Sequence, residues 1–289
     1  MAGTVDKAAL KAGGLMPQVQ QGKYSLRVMT IGGNMTAEQI ATISAVAKKY
    51  GHGYVHMTSR QGIEIPFIDV EDVDEVKAEL LAGGVPTGVC GPRVRTVTAC
   101  QGKAICPNGI IDTYPIAEEL HKRYFGRALP HKFKFGVTGC RANCLKTEEN
   151  DFGVKGGMEV KVNNEKCKKC GVCVKTCRWN AITLDKEKGI SFDAEKCVKC
   201  GRCVKACPFD AWQGEAGYVV SLGGLFGNEI YKGESFLPLI KDKETLFRVA
   251  DAAINYFEQN AKPNERFRFT IQRTGEENFK KAMLEAYNG

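Results

Sequence analysis

Residues 94–106 read V-R-T-V-T-A-C-Q-G-K-A-I-C, and residues 132–144 read K-F-K-F-G-V-T-G-C-R-A-N-C. The two stretches carry two close cysteine pairs, Cys100/Cys106 and Cys140/Cys144. Thiolates are soft ligands, and four of them suit zinc or an iron–sulfur cluster. The spacings C-x5-C and C-x3-C fit neither a zinc knuckle nor the ferredoxin run. Phe133, Phe135 and Val137 alternate with lysine and glycine, which predicts a strand with Lys132 and Lys134 on one face. Two lysines so placed suit a single anion, or else a solvated face.

Downstream, Cys167-x2-Cys170-x2-Cys173-x3-Cys177 is followed thirty residues later by Cys197-x2-Cys200-x2-Cys203-x3-Cys207-Pro208. Eight cysteines at two identical spacings are an internal duplication and the signature of a bacterial two-cluster ferredoxin. In that pattern the fourth cysteine serves the other cluster. The expected ligand sets are therefore Cys167, Cys170, Cys173 and Cys207 for one [4Fe-4S] cluster, and Cys197, Cys200, Cys203 and Cys177 for the other. Arg178 stands where the first run would carry proline. Gly171 and Gly201 are expected to relieve backbone crowding beside the clusters.

Twelve of the thirteen cysteines in this 289-residue chain thus fall into three sets of four. That grouping indicates metal ligands in a reducing compartment rather than a disulfide scaffold. The N-terminus lacks the apolar core of a signal peptide, and no long apolar run predicts a membrane span, so a cytoplasmic protein is expected. The formal charge of +8 suggests an anionic partner. Nucleic acid is not the expected one, because neither a helix-turn-helix signature nor aromatic–basic interleaving is present.

Around these motifs the chain reads as α+β. Residues 1–22 read as an N-terminal arm. Residues 23–86 follow the order β-α-β-β-α of a ferredoxin-like unit. A strand runs over Leu26–Thr30, and Thr36 and Gln39 form a capping-box pattern. Ile40, Ile43, Ala47 and Tyr50 stand at helical spacing, a strand is expected at 54–58, and Val73, Val76 and Leu80 mark a second helix. Residues 87–160 and 216–289 form the main α/β domain, interrupted by the two-cluster ferredoxin insert at 161–215. Helices are expected at 111–125, at 243–259 and from Phe279 to Ala286, with a strand where Phe267, Phe269 and Ile271 alternate.

Over roughly residues 24–286 the chain resembles the sirohaem-dependent sulfite and nitrite reductases, in particular the small anaerobic and dissimilatory types with an inserted ferredoxin domain. The resemblance implies that Cys100, Cys106, Cys140 and Cys144 hold a [4Fe-4S] cluster and that Cys144 also bridges to the sirohaem iron. It implies three [4Fe-4S] clusters in all. The family's arginine after the first strand corresponds best to Arg27. Its T-x-R-Q arginine corresponds to Arg60 in Thr58-Ser59-Arg60-Gln61, and a third to Arg95. These three would face sirohaem, and Arg60 and Arg95 the substrate as well. The family's substrate lysines lie in an L-P-x-K-F-K motif, here Leu129-Pro130-His131-Lys132-Phe133-Lys134. Arg141-Ala142-Asn143 departs from the C-P-N-x-C form common in relatives, so Arg141 is expected either near a sirohaem carboxylate or in solvent. Cys90 matches no ligand position and reads as a buried free thiol, or alternatively an exposed regulatory one. His56 and His131 have no expected role.

The implied activity is six-electron reduction of sulfite to sulfide. The alternatives are nitrite reduction to ammonia at the same cofactor, and a non-catalytic electron-transfer subunit. No flavin or nicotinamide signature is present, so a donor ferredoxin or reductase subunit is the expected partner. Lys166, Lys168, Lys169, Lys175, Lys199, Arg202 and Lys205 make the insert basic, either as a solvated face or as a contact for an acidic donor. Larger relatives carry the arrangement twice. A symmetric homodimer would place Arg60, Arg95, Lys132 and Lys134 of one copy against Cys144 of the other. The competing arrangements complete the site within one copy or with a related subunit.

Overall fold

The computed structural model describes residues 6–289. The chain opens with helix α1 (Lys7–Ala12), capped by the Asp6 carboxylate, which accepts the N–H groups of Ala8 and Ala9. Strand β1 (Leu15–Pro17) follows and pairs with β2 (Lys23–Val28). This corrects the expected arm. Leu15 is fully buried opposite Leu26, so from α1 onward the segment belongs to the first domain; the arm's first five residues lie outside the described residues. Its periodicity is weak because each element is a single short turn or a three-residue edge.

Helix α2 (Ala37–Tyr50) starts on the Thr36/Gln39 capping box, and β3 (His56–Met57), β4 (Ile63–Asp69) and α3 (Val73–Ala82) complete the unit. The antiparallel sheet has the order β1-β2-β4-β3. Leu26, Ile43, Val46, Ile65, Val76 and Leu80 form its core. Ile40, at helical spacing with Ile43 and Ala47, is nonetheless exposed, and the buried face of α2 is Ile43, Val46 and Ala47.

The second sheet has the order β10-β7-β6-β5. Strands β5 (Thr98–Ala99), β6 (Phe135–Thr138) and β7 (Phe152–Val162) are parallel, and β10 (Trp212–Leu222) runs antiparallel to β7. The short helix α4 (Gly102–Ile105) and α5 (Tyr114–Tyr124) lie between β5 and β6. A β11–β12 hairpin (Leu225–Phe226 and Ile230–Tyr231) and helices α8 (Lys243–Asn260), α9 (Phe267–Thr274) and α10 (Glu276–Asn288) close the chain. Helix α9 corrects the strand expected at Phe267–Ile271. Phe267, Thr270 and Ile271 are buried at i, i+3 and i+4, a helical stripe that the alternation of Phe267, Phe269 and Ile271 imitates.

Phe133, Phe135, Phe152, Phe257 and Phe267 stack through the centre of this domain with ring centroids 5.1–5.8 Å apart. Phe133 touches three of them and is fully buried. Phe133→Ala is expected to cost about 3–5 kcal/mol, read as a lower urea midpoint at an unchanged m-value; a loss below about 1 kcal/mol would show that this cluster is not the keystone of the domain.

Strands β7 and β10 pair over eleven residues, from Phe152↔Leu222 to Val162↔Trp212. This ribbon runs without a break from the core sheet into the insert. There it carries two short helices, α6 (Val172–Thr176) and α7 (Arg202–Ala206), and between them the antiparallel hairpin of β8 (Ile182–Asp185) and β9 (Gly189–Phe192). Val160, Ile182, Ile190 and Trp212 form a separate small core among the cysteines.

Candidate functional site

The two domains meet along the Thr58–Gly62 turn. Gln61 adopts φ 58° and its side-chain amide pairs with the backbone of Ala99 at 2.9 Å in both directions, splicing the first sheet to the residue before Cys100. Arg60 reaches across the same seam. Its guanidinium donates to Asn150 Oδ1 (2.8 Å), Thr96 O (2.9 Å) and Phe135 O (3.2 Å). Burial pushes its pKa down to about 10, which leaves it cationic at neutral pH.

Two adjoining cavities share Ser59 and Arg60. The first, about 180 Å³, is lined by Arg27, Arg60 and Arg95. Arg95 is tied to Val89 O (3.1 Å) and Gly91 O (2.8 Å). Arg27 pairs with Glu64 at 2.6 Å and donates to Cys90 Sγ at 3.1 Å. Cys90 is a buried free thiol. The second cavity, about 360 Å³, is lined by Arg60, Lys134 and Cys144 of the same chain. The buried Nε atoms of Arg60 and Arg95 and Nη1 of Arg141 have no hydrogen-bond partner. Unpaired buried cationic donors are costly, and these are grouped beside the seam and the Cys140 loop.

Lys132 and Lys134 flank the buried Phe133, so both side chains lie on the face opposite the core. Burial, then the repulsion of Arg60, lowers Lys134 to about 8. Burial, then Arg266 and Arg95, lowers Lys132 as well. Behind them sits a pair that sequence reading missed. Asp151 is wholly buried, accepts the Lys134 N–H at 2.9 Å, and meets Arg266 at 3.2 Å. Asp151 and Arg266 stand 115 residues apart with no shared motif, so no local signal could have joined them. Gln61 was visible in the T-S-R-Q segment, but its splice was not. His56 is exposed; His131 is half-buried, and its Nδ1 accepts the N–H of Lys132.

Cys100 Sγ accepts the N–H of Gly139 at 3.1 Å, which links the two cysteine loops. In the insert, one cavity is lined by Cys167, Cys170, Cys173 and Cys207, and another by Cys177, Cys197, Cys200 and Cys203. Gly171 and Gly201 adopt φ 73° and 67° beside them, where a side chain would be strained. Among the described residues, no three His, Cys, Asp or Glu side chains close round a single ion. No helix among the described residues is long and apolar enough to cross a membrane.

A ferredoxin-like half domain followed by a larger α/β domain is the domain pairing of the sulfite- and nitrite-reductase type. The chain belongs to the nitrite and sulphite reductase family. The family's 4Fe-4S domain matches residues 90–289 and its ferredoxin-like half domain residues 16–83. The chain is 34% identical to the Coenzyme F420-dependent sulfite reductase of Methanocaldococcus jannaschii over 88% of its own length, but spans only 41% of that protein. It is 36% identical to an uncharacterized protein of the same organism, over 81% of this chain and 82% of that one. In fold it is similar to dissimilatory sulfite reductase I, with a TM-score of 0.74 at 21% identity, covering 90% of this chain and 69% of that one.

Proposed function

We propose that the chain reduces sulfite to sulfide at sirohaem, with [4Fe-4S] clusters held by its three cysteine sets. One observation carries the reading: Arg60, Lys134 and Cys144 of a single chain line one cavity, and Arg27 and Arg95 line its neighbour. The residues fit the implied groups. The unpartnered Nε of Arg60 and Arg95 and Nη1 of Arg141 suit the carboxylates of a polyanionic tetrapyrrole. The two insert cavities carry the crossed cysteine sets of a two-cluster ferredoxin. Thiolates on a single tetrahedral ion, each bound at about 2.3 Å, would lie close together; a four-iron cluster would take cysteines set further apart, which agrees with the lack of a single-ion grouping among the described residues.

When bound, sirohaem and the clusters would supply the electrons and the iron chemistry. The chain's own residues hold and polarise the anion. Lys132, Lys134, Arg60 and Arg95 set positive charge where negative charge gathers and oxygen departs. Lys134, with its pKa near 8, can also give up a proton near neutral pH. Cys100, Cys106, Cys140 and Cys144 would hold the cluster beside sirohaem, with Cys144 on the cavity wall. The shared cavity supports a site completed within one chain in preference to one divided between two copies.

The test is the native protein's visible spectrum and its kcat/KM for sulfite and nitrite with a chemical reductant. Tetrapyrrole bands and a larger kcat/KM for sulfite are expected. Full cluster content with no tetrapyrrole in a preparation shown not to have lost it would sink the reading in favour of an electron-transfer subunit.

A further inference from the structure

We propose that the face around Cys167, Cys170, Cys173 and Cys207 is the docking surface for an acidic electron-donor protein, whereas the duplicated face around Cys197, Cys200 and Cys203 is turned toward the reductase core. The inference rests on the reading that both insert cavities hold clusters. The duplication supplies its own control, since equivalent positions lie thirty residues apart.

Burial breaks the symmetry of the two copies. Lys168, Lys169 and Cys170 are exposed, while Val198, Lys199 and Cys200 are half-buried and Gly201 is buried. The β7/β10 ribbon explains why. At its base a Cβ on Gly156 would lie 2.2 Å from Gly139 O, one residue before Cys140. Two residues on, Met158 N donates to Lys199 O at 2.8 Å, and its Sδ would lie 2.7 Å from a Cβ on Gly201. Four residues further, Val162 pairs with Trp212, which lines the Cys167/Cys170/Cys173/Cys207 cavity. From Gly156 to Val162 the strand advances about 20 Å. The three cysteine groups therefore stand in a row along one ribbon, with the first ferredoxin set outermost.

Charge breaks the symmetry in the same sense. Lys196 pairs with Asp193 at 3.0 Å, but its counterpart Lys166 follows Asn163, which carries no charge to pair with. Lys205 donates to Pro107 O at 2.9 Å, beside Cys106; both it and its counterpart Lys175 are exposed, but among the described residues Lys175 makes no such contact with the reductase core. Among the described residues Lys166, Lys168 and Lys175 form no salt bridge. Val172 and Phe209 line the outer cavity and are 37% and 43% exposed. An apolar centre with a basic rim fits a small partner of opposite charge, steered by long-range attraction and released at higher salt.

The test uses the cluster-loaded protein and, as probe, an acidic bacterial-type two-[4Fe-4S] ferredoxin, with binding read by calorimetry across a salt series. At about 0.1 M ionic strength the triple variant Lys166→Glu/Lys168→Glu/Lys175→Glu is expected to bind about tenfold more weakly. A matched variant elsewhere, Lys48→Glu/Lys243→Glu/Lys281→Glu, should change affinity less than about twofold at the same salt, where charges more than about 10 Å from the contact are largely screened. Iron and sulfide analysis verifies loading; if the glutamate set loads poorly, the glutamine set at the same three positions is read in its place. Equal weakening by both variants, no weakening by the first, or no salt-sensitive binding by the unmodified protein would overturn the proposal. Sulfite reduction with a chemical reductant and no ferredoxin tests the catalytic reading separately, so loss of one leaves the other standing.

Discussion

Replacing Lys132 and Lys134 together by alanine is expected to lower kcat/KM for sulfite roughly a thousandfold or more while leaving the tetrapyrrole content unchanged. Removing a single preorganised donor to a developing anion costs about 10²–10³ in rate, and this change removes two positive charges from one face. The lysines lie on the solvent side of the fully buried Phe133, so truncating them leaves the aromatic core intact. The arginines that suit the cofactor's carboxylates also remain. Turnover with a chemical reductant, normalised to bound tetrapyrrole, is the measurement. Near-normal turnover in the fully loaded double variant would remove both residues from the mechanism. The pH dependence follows from Lys134. Burial and Arg60 lower its pKa to about 8, so its charge is present below that pH and lost as pH rises through it. The rate constant kcat/KM should fall across the same interval, and Lys134→Arg should flatten the fall, because a guanidinium keeps its proton there.

The parts of this site legible in the sequence are those whose chemistry demands fixed spacing. The cysteine runs, the K-F-K alternation and the Thr36/Gln39 cap each specify local geometry within a few residues. What stayed hidden depends on contacts between distant segments. The alternation of Phe267, Phe269 and Ile271 satisfies a period of two, but burial on the Phe133 cluster selects the helical stripe Phe267, Thr270 and Ile271. Leu15 is drawn into the first core by pairing with β2, which no propensity of the N-terminal segment announces. Gln61 was readable as part of a motif, but its role as a splice to Ala99 needed both domains in place. The same holds for the carboxylate behind the lysines.

Asp151→Ala is expected to destabilise the protein by about 3–5 kcal/mol, because it leaves the Arg266 cation buried without a partner. Asp151 is fully buried and Arg266 is nearly so, and their contact at 3.2 Å joins the start of β7 to the N-terminus of α9. The same carboxylate accepts the Lys134 N–H at 2.9 Å, so the pair fixes the backbone from which that lysine projects. A urea titration reads the loss. Removing both charges, in Asp151→Leu/Arg266→Met, should recover part of it, since a buried pair repays its desolvation poorly and a half-pair not at all. Asp151→Asn separates position from charge. It keeps an acceptor for the Lys134 N–H but removes the negative charge that raises the lysine's pKa. The descending limb of kcat/KM should then move to lower pH, while the cofactor content stays the same. A purely structural Asp151 would change stability without moving that limb. An unshifted profile in the asparagine variant, or a loss below about 1 kcal/mol in the alanine variant, would reduce this pair to ordinary core polarity.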